Sequence, residues 1–271
     1  MNAQLGTYAL DSMSSPEQEM VRLKKQAELL PKIELRALVE HGLKKNMQVL
    51  DAACGPGLTA CMIDDYLNTG SVTGIDLNPT LLKEAEKLAW KKRKRIRFEA
   101  ANVYFLPYEN QFDYIYCRFL FQHLESPEKA LQSLWKALKP GGILHILDVN
   151  DDWLFLEPEV PAFTQLSNLA ARHQSRKGGN RYIGKELRNI MVKEGFGDLF
   201  TSVISVSSDM VGMDTFLNIT TSFKAEIIDP EPDQPHPQQL LKEIKEEVSK
   251  RDTYGMVGVF NVSARKSLTR K

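Results

Sequence analysis

The stretch Val49-Leu50-Asp51-Ala52-Ala53-Cys54-Gly55-Pro56-Gly57 holds the residues of this chain best suited to chemistry. An apolar run ends in a carboxylate, and a turn of small side chains follows before a helical pattern begins at Leu58. Small residues let a ligand lie against the backbone, and open α/β sheets bind ligands beyond the carboxyl ends of their strands. Asp76 closes the next apolar run, Val72 to Ile75. That is where a dinucleotide fold keeps the acid that holds a ribose diol.

Two nucleoside cofactors compete for this turn. Gly55-Pro56-Gly57-Leu58-Thr59-Ala60 fits the GxGxxG/A pattern, whose helix N-terminus attracts a diphosphate, so an NAD-dependent oxidoreductase is one reading. Asp51, however, would set a negative charge beside that diphosphate, and no Lys or Arg lies near it in sequence. A nucleoside carrying an ammonium and a sulfonium gains from the same carboxylate. The sign of the charge therefore favours S-adenosylmethionine over NAD, and the chain lacks the Tyr-x-x-x-Lys pair of short-chain dehydrogenases. A non-catalytic S-adenosylmethionine-binding protein is the third reading.

These residues need a frame. Ser15-Pro16-Glu17-Gln18 has the spacing of a capped helix start. That helix is predicted to reach Leu30, and a second, from Ile33 to Glu40, stops at Gly42. Strands at 49–52, 72–76, 96–100, 112–119 and 142–149 then alternate with helices at 58–67, from Asn78-Pro79 to Arg93, and from Ser126-Pro127 to Lys139-Pro140-Gly141-Gly142. Strands separated by helices predict parallel neighbours joined by crossovers. Residues 151–195 read as mostly helical. Two further strands are predicted at 201–207 and 254–263, separated by a Pro-rich acidic connection around 229–237 and a charged helix at 238–250. The predicted fold class is α/β: a Rossmann-like, seven-stranded, mostly parallel sheet with helices on both faces, plus helical lid additions. Residues 1–44 would form an N-terminal helical cover and 45–150 the nucleoside-binding core. Residues 151–271 would complete the same domain with a substrate lid and the last two strands.

In order and spacing, Val49 to Gly57, Ile75-Asp76, Asn102-Val103-Tyr104-Phe105-Leu106-Pro107, Phe112-Asp113-Tyr114-Ile115 and Leu138-Lys139-Pro140-Gly141-Gly142 resemble the motifs of class I S-adenosylmethionine-dependent methyltransferases. The resemblance is close over residues 45–150 and looser over Leu187–Phe196. It implies an enzyme that methylates a small molecule and releases S-adenosylhomocysteine. By the same resemblance Asp51, Ala53, Gly55 and Gly57 line the methionine part of the cofactor. Asp76 holds the ribose hydroxyls, Leu77 packs on the adenine, Asn102 and Val103 meet its edge, and Cys117 and Arg118 lie under the methionine end. Ala53 stands where the family keeps its first glycine, which a methyl side chain tolerates only away from positive φ. Asn102 stands where aspartate is common; its amide can still accept from the adenine amino group. Arg22-Leu23-Lys24-Lys25-Gln26-Ala27, preceded by Tyr8, resembles the covering helix of a small-molecule subgroup. That likeness implies that Tyr8 closes on the sulfonium and Arg22 on the cofactor carboxylate.

His123, just past the fourth strand, is the candidate general base, since an imidazole titrates near neutrality; a packing histidine is the competing reading. His145, inside an apolar strand, reads as a satisfied core residue. Asp148, Asn150, Asp151 and Asp152 read mainly as solvated loop acids, with a substrate amine as the minor reading, and no metal site is assigned. Lys91 to Arg95 with Arg97 reads as a solvated helix end, where cations suit the dipole. Trp153, Phe155, Phe163, Phe216 and Phe223 read as lid core or pocket wall.

The chain has 271 residues, with 35 basic and 35 acidic side chains that cancel, so no global field draws it to nucleic acid or an anionic membrane. Three cysteines with no CxxC pair point to a reducing cytoplasm rather than a disulfide framework. No signal peptide is visible in the first residues, and no run reaches the roughly 20 apolar residues of a membrane span.

Overall fold

The computed structural model describes residues 16–29, 31–230 and 232–267. Seven strands form one sheet: β1 (Gln48–Ala52), β2 (Ser71–Asp76), β3 (Arg97–Ala100), β4 (Phe112–Arg118), β5 (Leu138–Glu157), β6 (Gly197–Ser207) and β7 (Tyr254–Arg265). Their order is β3-β2-β1-β4-β5-β7-β6. The first five pair in parallel, while β7 runs antiparallel to both β5 and β6. The mostly parallel, seven-stranded sheet expected from the sequence is the one observed, with a single reversed strand.

Because successive strand residues face opposite ways, each strand feeds two cores. Leu50, Ala52, Ile115 and Cys117 point to the face covered by α5 (Pro127–Ala137) and α7 (Ile183–Lys193), with Leu131, Leu134 and Leu187. Val49, Tyr114 and Tyr116 point to the other face, against α2 (Pro31–Glu40) and α3 (Leu58–Tyr66), with Leu38, Ala60 and Ile63. Local signals set the ends of these helices. Asn78 accepts from the amides of Thr80 and Leu81 (2.8 and 3.2 Å) and, with Pro79, opens α4 (Pro79–Lys91). Gly42 takes φ 99° just past α2, and the Leu43 amide returns to the Leu38 carbonyl at 2.9 Å.

Beyond residue 150 the structure departs from the sequence reading. Residues 151–157 are not helical; they extend β5, and Leu154–Glu157 pair with Tyr254–Val257 of β7. The cause is visible in Trp153-Leu154-Phe155-Leu156, where Leu154 and Leu156 are buried on one face and Trp153 and Phe155 stand outside. α6 (Pro161–Arg176), α8 (Ser208–Val211), α9 (Met213–Leu217), a π-helical turn (Asn218–Ser222), α10 (Phe223–Ile227) and α11 (Pro237–Lys250) build the lid. Its own core joins Phe163, Leu166, Phe216 and Ile244 to Leu154 and Val257 of the strand extension. Each such fully buried side chain contributes about 1.5–3 kcal/mol, so the lid is anchored to the sheet rather than tethered loosely. Among the described residues no helix is long and apolar enough to cross a membrane.

Candidate active site

A cavity of about 540 Å³ opens beyond the carboxyl ends of β1, β2, β4 and β5 and continues under the lid. Asp51, Ala53, Gly55, Asp76, Leu77, Asn102, Val103, Arg118, His123 and Arg22, all singled out in the sequence, line it together. Gly57 and Cys117 do not. Tyr8 lies outside the described residues.

Asp51, next to last in β1, is almost fully buried, and neither carboxylate oxygen has a hydrogen-bond partner within ordinary bonding geometry. Burial is the main reason its pKa rises to about 7; Glu34 and Asp76 add to the rise, while the Arg118 guanidinium and, more weakly, the Ala60 amide oppose it. A buried acid left without a partner is costly unless a ligand supplies one. The residues present therefore suit a ligand ammonium at this point. Next to it, Gly55 takes φ 53°, and nothing lies within 4 Å of where its side chain would be. Cys54 donates its amide to the Ile75 carbonyl at 2.9 Å, tying the turn to β2.

Asp76 accepts from the Gly55 and Asn78 amides, both at 2.9 Å, so its carboxylate is locked at the mouth of the turn. Burial raises its pKa, against those amides. Leu77 is 43% exposed on the cavity rim, as a surface that stacks on a base would be. Asn102 turns its side-chain oxygen back to the Tyr104 amide at 2.9 Å, which engages part of the acceptor capacity expected for adenine.

Four placements differ from the sequence reading. Ala53 sits at φ 63°, the left-handed conformation that an alanine was expected to avoid. Gly57, at φ 79°, serves packing instead: a side chain there would come within 2.8 Å of the Ala85 side chain on α4. Cys117 points into the α5–α7 core, because it follows Tyr116 on β4 and strand residues alternate. Arg22 is held by a two-pronged ion pair to Glu19 (both contacts 2.6 Å), with its guanidinium 4.7 Å from the Phe223 ring centre.

Arg118, facing the side opposite Cys117, comes instead to the Asp51 end of the cavity. Its Nε donates to Glu34 at 3.0 Å, and its Nη2 reaches the Gln26 carbonyl at 3.3 Å. Glu34 also accepts from the Tyr116 hydroxyl at 3.0 Å. Nothing near Glu34 in sequence marks it; only the docking of α2 beside β4 reveals it.

The residues read as solvated loop acids instead lie within β5, and three of the four are enclosed. Asp148 and Asn150 are fully enclosed, and Asp148 accepts from the Gln122 and Val149 amides. Asp151 takes Arg181 through two contacts (2.5 and 2.9 Å) and Lys224 at 3.0 Å. Only Asp152 lies at the surface, paired with Lys185. His123 is half-buried in the cavity wall, and its pKa is lowered to about 3 by loss of solvent first and then by Arg181 and Arg22. His145 is the satisfied core histidine expected, bonded to Tyr114 (2.6 Å) and Asn261 (3.0 Å) and stacked on His41 at 4.3 Å.

A Rossmann-like sheet whose first turn offers an unpaired buried carboxylate, with a second acid across it, defines a nucleoside site of positive-ligand type. A methyltransferase-domain family model matches residues 49–142. The ubiquinone/menaquinone biosynthesis C-methyltransferase of Bdellovibrio bacteriovorus is 30% identical over 175 residues, spanning 60% of this chain and 72% of that protein. Among solved structures, the Haemonchus contortus phosphoethanolamine N-methyltransferase 2 complex with phosphomonomethylethanolamine and S-adenosylhomocysteine superposes with a TM-score of 0.59. It is 18% identical, with 96% of this chain and 61% of that one covered. A SAM-dependent methyltransferase from Aquifex aeolicus gives a TM-score of 0.55 at 16% identity, with 94% and 99% covered. The chain belongs to the class I S-adenosylmethionine-dependent methyltransferases.

Proposed function

We propose that this protein transfers a methyl group from S-adenosylmethionine to a small, largely apolar acceptor. The unpaired Asp51 carboxylate in a small-residue turn is the observation that carries this reading. When bound, S-adenosylmethionine supplies an electrophilic methyl group on a sulfonium. Asp51 would take the ammonium of its methionine part, and Arg118, fixed by Glu34, its carboxylate. Asp76 would accept from the ribose diol, and Leu77, Asn102 and Val103 would frame the adenine. Arg22, engaged by Glu19, is better placed to wall the cavity than to bind that carboxylate.

Past the cofactor end, Leu147, Val149, Val206, Val257 and Val259 present an apolar floor from β5, β6 and β7. Phe223, Ile219 and Ile227 of the lid face it. Such walls favour an apolar acceptor body, in keeping with the quinone-pathway relative. Catalysis would then come from holding acceptor and methyl donor in line while the lid and α1 (Pro16–Glu28) exclude water. His123 cannot keep a proton near neutral pH and would orient the acceptor rather than deprotonate it.

Calorimetry tests the reading. S-adenosylhomocysteine should bind in the micromolar range and weaken by at least tenfold in Asp76→Ala, and NADH should not displace it. Absence of nucleoside binding, or displacement by NADH, would overturn it.

A further inference from the structure

The acceptor end of the cavity carries an uneven set of charges. Arg181 and Lys224 are both fully buried and share one carboxylate, Asp151. Lys224 also reaches Ser167 at 3.3 Å, and Arg181 reaches Gln122 and Gln174 at 3.2 and 3.4 Å. The guanidinium of Arg181 lies 5.5 Å from the Phe223 ring centre, and that of Arg22 lies 4.7 Å from the same ring. One aromatic ring in the cavity wall thus has two guanidiniums within 5.5 Å of its centre.

Resting on the methyltransferase reading, we propose that the acceptor binds as an oxygen anion (a phenolate, an enolate or a carboxylate) facing the Arg181–Phe223–Arg22 wall, and not as an amine. The two acids beside that wall, Glu19 and Asp151, are already engaged. Glu19 holds Arg22, and Asp151 holds both Arg181 and Lys224. Asp148 is turned to backbone amides outside the wall, and burial lifts its pKa to about 7, so it offsets the surplus only in part. Glu226 and Asp229 line the exposed mouth; Glu226 lies close enough to the Glu19–Arg22 pair to feel both, with its pKa raised by burial first and then by Glu19, while Lys177 and His173 stand beside Asp229. Past that mouth, once the cofactor ammonium occupies Asp51, a protonated amine would meet the Arg22 and Arg181 guanidiniums, each already paired with a carboxylate.

Proton handling leads to the same class. Loss of solvent first, and then Arg181 and Arg22, hold the His123 imidazole neutral, so it is a poor place to leave a proton. An acceptor that has already given its proton to bulk water needs no such base. The positive wall promotes that ionisation, since a cation within about 4–6 Å lowers an oxygen acid's pKa by about 1–3.

The test uses the intact protein saturated with S-adenosylhomocysteine and 4-nitrophenol as probe, whose anion is read by its absorbance. The bound phenol should ionise at a pH at least about one unit below its value in free solution. Benzoate should compete with it, and benzylamine should compete at least tenfold less well. Burial first, and then Arg181 against Asp151, lower the Lys224 pKa to about 8, so it carries its charge below that pH; Lys224→Met removes this cation and leaves the Arg181–Asp151 pair intact. It should return the phenol's ionisation towards the solution value without changing S-adenosylhomocysteine affinity. A bound phenol that ionises as in water, or benzylamine binding as well as benzoate, would overturn the proposal. Either result with S-adenosylhomocysteine still bound leaves the cofactor reading standing; loss of nucleoside binding in the wild type would instead sink that reading itself.

Discussion

The most direct consequence of the site is that nucleoside affinity should follow the charge on Asp51. Burial first, then Glu34 and Asp76, lift its pKa from 3.8 to about 7. At pH 6 the empty site would be about one-tenth ionised, and at pH 8 about nine-tenths. If only the carboxylate form receives the ligand ammonium, the apparent Kd improves by about tenfold between those pH values. Stability has the opposite sign. A carboxyl whose folded pKa is raised favours folding below its unfolded pKa, and that contribution is lost as pH rises through the folded value. The rise from 3.8 to about 7 corresponds to roughly 4 kcal/mol at the upper limit. Asp51→Asn should therefore raise the urea midpoint of the ligand-free protein at pH 8 while having little effect near pH 4. It should also weaken S-adenosylhomocysteine by about a hundredfold, the worth of a charge-assisted hydrogen bond of about 3 kcal/mol. Calorimetry across pH 6–8 and parallel urea melts make both measurements. Asp148, also raised to about 7 by burial, titrates in the same window. It does not line the cavity, so it adds slope to the melts and not to the binding. A wild-type affinity flat across this range, or an Asp51→Asn variant with the same affinity slope, would refute the reasoning.

Three other outcomes follow from the geometry. Arg118→Met should weaken S-adenosylhomocysteine more than its decarboxylated analogue, narrowing their difference by at least tenfold; an equal loss for both would place the carboxylate elsewhere. Gly57→Ala should lower stability by at least about 2 kcal/mol in urea melts, since its new methyl group would crowd Ala85 at 2.8 Å from a left-handed backbone. Asp151→Asn should cost about 3–5 kcal/mol by stranding two buried cations, whereas Asp152→Asn at the surface should change stability by less than about 0.5 kcal/mol.

Much of the first half of the molecule was legible in the sequence. Apolar runs bounded by Asp51 and Asp76, the Asn78-Pro79 cap and the Gly42 stop are local signals, and each sits where its own neighbours in sequence demand. The cofactor class was legible as well, because the sign of a charge at a strand end does not depend on distant residues. Which way a side chain faces was decided by the fold. Cys117 and Arg118 are adjacent in sequence, yet strand alternation buries one in the core and brings the other to the cavity. Glu34 joined the cavity wall, and Lys224 reached Asp151, only when α2 and α10 docked, since ion pairs between distant segments leave no spacing to read. The same holds for 151–157, whose apolar alternation became a strand because β7 lay ready to pair with it. Hydrogen bonding between strands is a long-range choice that no local propensity records.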